Sequence, residues 1–285
     1  MPLVNLTAIL PKAEADGYAV GAFNVFDQLS MKAVVEAAAE LNSPVIIQVL
    51  TPVAQFFGPV SIAHWMQALT KQHPRIPIVL HLDHGKDLDL ITSCIESGWN
   101  SVMIDASDLP LDDNINRTKG VIEKARAAGV SVEGEVGCIF AATEKQSVRE
   151  SADHLATSDS CRLYCFETLV DALAPAIGTA HGLYVDAPNI NCDRLLEIGQ
   201  TTDVPLVIHG GTGLSTQDFH NLIRCGASKI NIATQIYMQY CQTMRAFTQS
   251  HPQNNDPLQF FAAATDDLKQ RVKELIRVFG CADRI

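Results

Sequence analysis

The stretch PIVLHLDHGKDLDLITSCIESG, Pro77–Gly98, decides how the rest of the chain is read. It begins with PIVLHLD, Pro77–Asp83, a short and nearly continuous apolar run. A strand covered on both faces looks like this, and a proline at its entry removes no needed ladder donor. It continues as DLDLITSCIESG, which has helical character and stops at Gly98, a residue type that commonly ends helices. One strand followed by one helix is therefore written here within about two dozen residues. The junction is unusual. HLDHGKD, His81–Asp87, drives a buried strand into two histidines and two aspartates.

Seven other runs share this form. They are AVGAFNV (Ala19–Val25), PVIIQVL (Pro44–Leu50), SVMID (Ser101–Asp105), SVEGEVG (Ser131–Gly137), ALAPAIG (Ala172–Gly178), PLVIHG (Pro205–Gly210) and KINIAT (Lys229–Thr234). Helical segments lie between them. SMKAVVEAAAELN starts at Ser30, read as its N-cap; NINRTKGVIEKARAAG stops at Gly129; STQDFHNLIRCG starts at Ser215 and stops at Gly226. Eight β-then-α units predict an α/β fold, a (β/α)8 TIM barrel forming one domain over residues 1–285. The remaining length predicts an extra N-terminal helix at about residues 3–16 and a C-terminal helical tail after the polar loop HPQNNDP. A dinucleotide-binding sheet is the rival architecture, but no GxGxxG follows a strand. Cys138–Leu155 lacks a clear pattern and reads as a mobile loop after strand five.

Composition narrows the function classes. Of 285 residues, 47% are hydrophobic and 19% charged, an ordinary globular balance. The net charge of −11 comes without any basic stripe, so nucleic acid and anionic membranes are poor partners. No apolar run reaches membrane-spanning length, and the N-terminus lacks the basic start of a secretory signal. The eight cysteines form no CxxC pair and read as reduced thiols of a cytoplasmic protein. Cys94, Cys161 and Cys165 fall in helical stretches and read as core packing, with Cys161 and Cys165 on one helix face.

Chemistry in such barrels sits at the C-terminal strand ends. Read in order, those ends present Asn24, then Asp83 and His84, Asp105, Glu133 and Glu135, His181 in GTAHG, His209 in HGGTG, and NIAT (Asn231–Thr234). Each histidine alone has an ordinary explanation in a cap, the surface or a hydrogen-bonded core. Three of them at strand ends with carboxylates beside them point to a catalytic metal with one open position, typically Zn2+. Asp83 and His84 are neighbours, and strand side chains alternate faces. Both reach one site only if the strand breaks, and Gly85 is the expected place. HGGTGLS and NIAT follow strands seven and eight, where barrels often hold phosphate on loop amides and a helix N-terminus. A metal, a carboxylic acid and a phosphate cradle suit C–C cleavage beside the carbonyl of a phosphorylated sugar. The alternative electron sink, a lysine Schiff base, has no candidate in the strand interiors; Lys229 reads as lying at a strand start, at the wrong end.

At this point the chain resembles the class II ketose-bisphosphate aldolases, most closely the tagatose-1,6-bisphosphate branch, with fructose-1,6-bisphosphate aldolases as sister group. The matching pieces are GAFNV, SPVIIQ, HLDHG, SVMIDAS, VEGEVG, AIGTAHGLY, PLVIHGGTGLS, KINIATQI, NNDP and FGCADRI, in the family's order along nearly the whole chain. The resemblance implies that His84, His181 and His209 hold Zn2+, and that Asp83 exchanges the proton of the hydroxyl on the cleaved carbon. It implies that Asp105 and Glu135 line a neighbouring metal location. Gly182, Gly210, Gly211, Thr212, Asn231, Ile232, Ala233, Thr234 and Asn24 would bind the dihydroxyacetone phosphate half. A monovalent cation, Na+ or K+, would assist. A homodimer or homotetramer is expected, and an accessory subunit is left open.

One region departs. The family usually has a Gly-Gly loop with acidic residues after strand five, one of which handles the proton on the dihydroxyacetone phosphate carbon. Here GCIFAATEKQSVRES has Phe140 and Ala141 in the glycine places, Glu144 as the nearest acid and Glu150 further on. Three readings remain. One is a zinc-dependent aldolase that splits tagatose- or fructose-1,6-bisphosphate to dihydroxyacetone phosphate and glyceraldehyde 3-phosphate. The second is an aldolase for another ketose phosphate, and the third a non-catalytic sugar-phosphate binder. A metal-dependent hydrolase on the same barrel has no need of the phosphate cradle.

Overall fold

The structure is a computed structural model that describes residues 3–144, 154–184 and 186–285. Eight parallel strands close into a barrel in chain order: β1 (Val20–Asn24), β2 (Val45–Leu50), β3 (Ile78–Gly85), β4 (Ser101–Ile104), β5 (Ser131–Val136), β6 (Ala172–Pro175), β7 (Leu206–Ile208) and β8 (Ala227–Ile232). Nearly every strand residue is buried, because the barrel interior covers one face and the helices cover the other. This is why the strands read as continuous apolar runs rather than alternating ones. Cys94, Cys161 and Cys165 lie in the core, and burial pushes the Cys94 thiol up to about 12.

The helix boundaries follow local hydrogen bonding. The first helix after β1 runs Gln28–Glu40, and Asp27 caps it: its side chain accepts from the Ser30 amide at 2.7 Å. Ser30, expected as the cap, is instead the third helical residue and accepts from the Asp27 amide at 3.1 Å. The two form a reciprocal capping box, so the helix starts three residues earlier than the Ser30 reading placed it. The other caps match the reading more closely. Ser215 caps Thr216–Arg224, and Gly98, Gly129 and Gly226 all take positive φ past their helices.

Both ends of the chain sit against the N-terminal end of the barrel. The expected N-terminal helix is split into a 3-10 turn at Leu6–Ala8 and a helix at Leu10–Asp16. The Val4 amide donates to Ile78 O at the start of β3, and the Leu6 amide donates to Ser131 Oγ at the start of β5. The C-terminal helix Pro257–Val278 lies along Gln28–Glu40, where Lys273 and Lys269 pair with Glu40 at 2.5 and 3.2 Å. Just beyond it, Phe279 O accepts from the Ala19 amide ahead of β1. These contacts cover the lower end of the barrel. The upper end, where the strands finish, carries the polar residues.

Strand β8 corrects one expectation. It begins at Ala227, so Lys229 is its third residue rather than its first. Lys229 is wholly buried inside the barrel, 2.9 Å from Glu133 Oε2 and 2.8 Å from Asn231 Oδ1. GASK carries no apolar pattern, which hid two residues of strand.

Candidate active site

The break in β3 occurs at His84 itself. Its φ is +52°, a left-handed conformation that costs a non-glycine residue about 1–2 kcal/mol. Pairing with β4 gains one extra residue between Leu82 and Gly85, a bulge that lets Asp83 and His84 reach the same cavity. Gly85, expected as the hinge, serves a different need. A Cβ there would stand 2.6 Å from Met103 O and 2.9 Å from Ile91, so glycine permits close packing onto β4 and the following helix. The Thr51 hydroxyl donates to His84 O at 2.9 Å and helps to hold the kink.

His84, His181 and His209 converge. His84 Nε2 lies 3.0 Å from His209 Nδ1, and His181 Nε2 lies 3.5 Å from the same atom. Each ring is anchored through a second contact. His84 Nδ1 meets Asp105 Oδ2 at 2.9 Å, His209 Nε2 meets Glu133 Oε1 at 2.9 Å, and His181 hydrogen-bonds the backbone at Ile139. Burial and the neighbouring His84 push His181 down to about 4 and hold His209 well below the ordinary imidazole value. Burial also opposes charge on His84, yet Asp83, Asp105 and Glu135 together raise it to about 9. Two neutral imidazoles and a third ringed by carboxylates call for positive charge where the nitrogens meet. Nitrogens bound tetrahedrally at about 2.0–2.1 Å stand about 3.3 Å apart, close to the 3.0 and 3.5 Å found here, so this donor set suits Zn2+.

The carboxylates divide their tasks. Asn24 Nδ2 donates to Asp83 Oδ2 at 2.7 Å, and Gln48 Nε2 donates to Asn24 Oδ1 at 3.0 Å. Asp83 Oδ1 is buried without a hydrogen-bond partner and faces His84 Nε2 at 4.0 Å. Burial would raise the Asp83 carboxyl, but His84, His209, Lys229 and the Asn24 bond hold it below its usual value. Asp105 and Glu135 form a second donor set with His84. Burial and the nearby Asp105 push Glu135 up to about 8, and its Oε2 has no hydrogen-bond partner. Burial also opposes charge on Asp105, yet bonds from His84 and Ser107 hold it well below the carboxylate range.

Glycines shape the opposite wall. Gly210 has φ +72°, and a Cβ there would stand 2.3 Å from Ala180 O; at Gly211 it would stand 2.8 Å from Asn231 O. The helix Thr234–Ser250 begins here without a side-chain cap, although Thr212 Oγ1 accepts from the Gln235 amide at 3.3 Å. The Ile236 and Tyr237 amides donate to Ala233 O, so the Thr234 amide, with the weakly held Gln235 amide beside it, is the part of this first turn suited to an anion. Tyr184 OH accepts from the Ala180 amide and donates to Gly210 O at 2.8 Å, bracing this wall.

One cavity of about 370 Å³ joins these parts. Its lining includes Asn24, Asp83, His84, Asp105, Glu135, His181, Gly182, His209, Gly210, Gly211, Thr212, Asn231, Ala233 and Thr234, the residues expected from strand ends and resemblance. Three expected residues are absent from the wall, one of them Glu133, which is wholly buried. Ile232 is wholly buried, and Glu144 is exposed. The segment before Glu144 is pinned: Phe140 O accepts from the His181 amide at 2.8 Å, and His181 O accepts from the Ala142 amide at 2.6 Å. Glu150 and half of the loop expected to be mobile lie outside the described residues. The sequence reading missed Gln48, Tyr184 and Tyr237, and it assigned no role to Glu133. Glu133 and Glu135 have the same strand spacing, and only the partners across the barrel separate them.

The whole chain compares well with known aldolases. The family model for class-II fructose-bisphosphate aldolases matches residues 4–284. The YdjI aldolase of Escherichia coli K12 is 29% identical, with 99% of each chain covered and a TM-score of 0.86. The fructose-bisphosphate aldolase (Fba) of Campylobacter jejuni is 22% identical, covers 100% of this chain with 97% of its own, and has a TM-score of 0.87, a likeness of fold. With this match along its length, the chain belongs to the class-II fructose-bisphosphate aldolase family and is an aldolase, a carbon–carbon lyase.

Proposed function

We propose that the protein is a zinc-dependent aldolase that reversibly splits a ketose 1,6-bisphosphate, with tagatose- and fructose-1,6-bisphosphate as the candidates, into dihydroxyacetone phosphate and glyceraldehyde 3-phosphate. The observation that carries this is the meeting, in one cavity, of three histidine nitrogens, a carboxylate oxygen without a partner and a glycine-walled helix N-terminus. His84, His181 and His209 would hold the ion, which supplies Lewis-acid stabilisation of negative charge at the substrate carbonyl. Gly182, Gly210–Thr212 and Asn231–Thr234 would seat the phosphate and hydroxyls of the dihydroxyacetone phosphate half. Asp83, kept ionised and fixed through Oδ2 by Asn24, takes the proton of the C4 hydroxyl with Oδ1. The C3–C4 electron pair then passes to the carbonyl side, and the aldehyde leaves.

The carbon retained by dihydroxyacetone phosphate must next take a proton. We assign this to Glu144, two residues past the segment pinned to His181; its exposed position requires it to approach the cavity. A second reading, another ketose phosphate with a different aldehyde, is favoured by Phe140 and Ala141, which stand where the resemblance expects glycines and of which Ala141 bridges to His181.

Release of dihydroxyacetone phosphate from both epimers, with zinc-loaded and chelator-treated protein, tests the reading. Metal-dependent release from one epimer is expected. No release from either, with zinc bound, would move the assignment to another ketose phosphate. Glu144→Gln is expected to slow exchange of solvent deuterium into dihydroxyacetone phosphate about 10²-fold; unchanged exchange would remove Glu144 from the mechanism.

A further inference from the structure

Among the described residues, Lys229 is the one lysine or arginine wholly buried beneath the cavity. Its ammonium is fully enclosed, and such a group persists only with partners that take its protons and balance its charge. It has two partners on opposite sides of the site. Glu133 Oε2 lies at 2.9 Å and Asn231 Oδ1 at 2.8 Å.

Each contact fixes an orientation. Lys229 has only donors, so the Asn231 amide must present its oxygen to the ammonium. The amide nitrogen is thereby turned away. Asn231 Nδ2 is buried without a partner, and Asn231 lines the cavity. On the other side, Glu133 makes its second contact through Oε1, which meets His209 Nε2 at 2.9 Å. A carboxylate there requires the Nε2 proton, so the Nδ1 lone pair is left facing His84 and His181.

We infer that Lys229 is a positioning residue that sets both halves of the site at once, the lone pair of His209 through Glu133 and the amide donor of Asn231 directly. The ligand for Asn231 Nδ2 is an oxygen of the dihydroxyacetone phosphate half, so that arm rests on the proposed function. The His209 arm does not. A lysine serving only to neutralise Glu133 would leave the Asn231 donor unaffected, and one serving only Asn231 would leave the histidines unaffected.

The test uses Lys229→Met in the full chain, with two affinities measured. Zinc affinity is read by competition with a chromogenic chelator, and dihydroxyacetone phosphate affinity by calorimetry at saturating zinc. Zinc affinity is expected to fall about 10–100-fold, the usual effect of losing support behind a ligand. Dihydroxyacetone phosphate affinity is expected to fall about tenfold, as for one misdirected hydrogen bond. Asn231→Ala should lower the second affinity alone. A folded Lys229→Met protein with either affinity unchanged overturns the inference. If that variant does not fold, Lys229→Met combined with Glu133→Gln removes both buried charges and is compared with Glu133→Gln alone: the double variant is expected to bind dihydroxyacetone phosphate about tenfold more weakly than the single one, and equal affinities overturn the inference. Failure of the unaltered zinc-loaded protein to bind dihydroxyacetone phosphate would overturn the substrate reading instead; unchanged zinc affinity in the variant would still overturn the inference.

Discussion

Strands β3 and β8 both deliver polar groups to the cavity, but by different routes. On β3 the functional groups stand at the strand's end, where His84 leaves the β conformation and an extra residue brings Asp83 and His84 to one side. On β8 a lysine sits mid-strand, wholly buried, and reaches Asn231 two residues further on, along the same face. The first route exposes reactive atoms to the cavity. The second keeps its charge below and acts through the atoms it orients. On the proposed function, the groups near the mouth are those that would touch a ligand, whereas the groups that would aim them lie one layer down.

The comparison breaks most severely at its β3 side. His84→Ala removes one of three converging nitrogens and leaves another non-glycine residue in the left-handed conformation, so the backbone strain is about the same and a folded protein is expected. Loss of Lewis-acid stabilisation worth several kcal/mol corresponds to about 10³-fold or more in rate. Activity near background together with zinc below one equivalent by elemental analysis is the expected result. Full activity with full zinc would remove His84 from the metal site. Asp83→Asn separates proton transfer from metal binding on the same strand. Asparagine can keep an oxygen for Asn24 but accepts no proton as a base. A fall in kcat of about 10²–10⁴-fold with zinc content preserved is expected. A fall in zinc content of the same size would recast Asp83 as a ligand.

The two strands also differ in how much the sequence discloses. Parallel strands packed on both faces give apolar runs, so eight of them in order were enough to read the barrel. Residues at the ends of those runs, His84, His181 and His209 among them, stood out because three histidines at strand ends with carboxylates beside them have no joint packing reason, although each alone has one. Lys229 was misplaced because its strand starts with Ala227 and Ser228, and an error of two residues moves a lysine from the rim into the interior. Glu133, Gln48 and Tyr184 were illegible for another reason. Their work is defined by His209, Asn24 and Gly210, partners that only the closed barrel brings within 3 Å.

The smallest effect sharpens the comparison from a third strand. Gln48 on β2 is wholly buried and reaches the chemistry only through Asn24, which it fixes at 3.0 Å while Asn24 holds Asp83 at 2.7 Å. If groups in the lower layer act by aiming others, Gln48→Ala should change neither zinc content nor the identity of the substrate. It frees the Asn24 amide to rotate and weakens the constraint on the Asp83 carboxylate. A hydrogen bond of this kind contributes about 1 kcal/mol, or about fivefold in kcat, with KM nearly unchanged because Asp83 acts on the transition state. Restoring the donor with Gln48→Asn should fail, since the side chain is one methylene shorter. An unchanged kcat in Gln48→Ala would show that Asn24 is held by packing alone, and the aiming role of the lower layer would then end at Lys229 and Glu133.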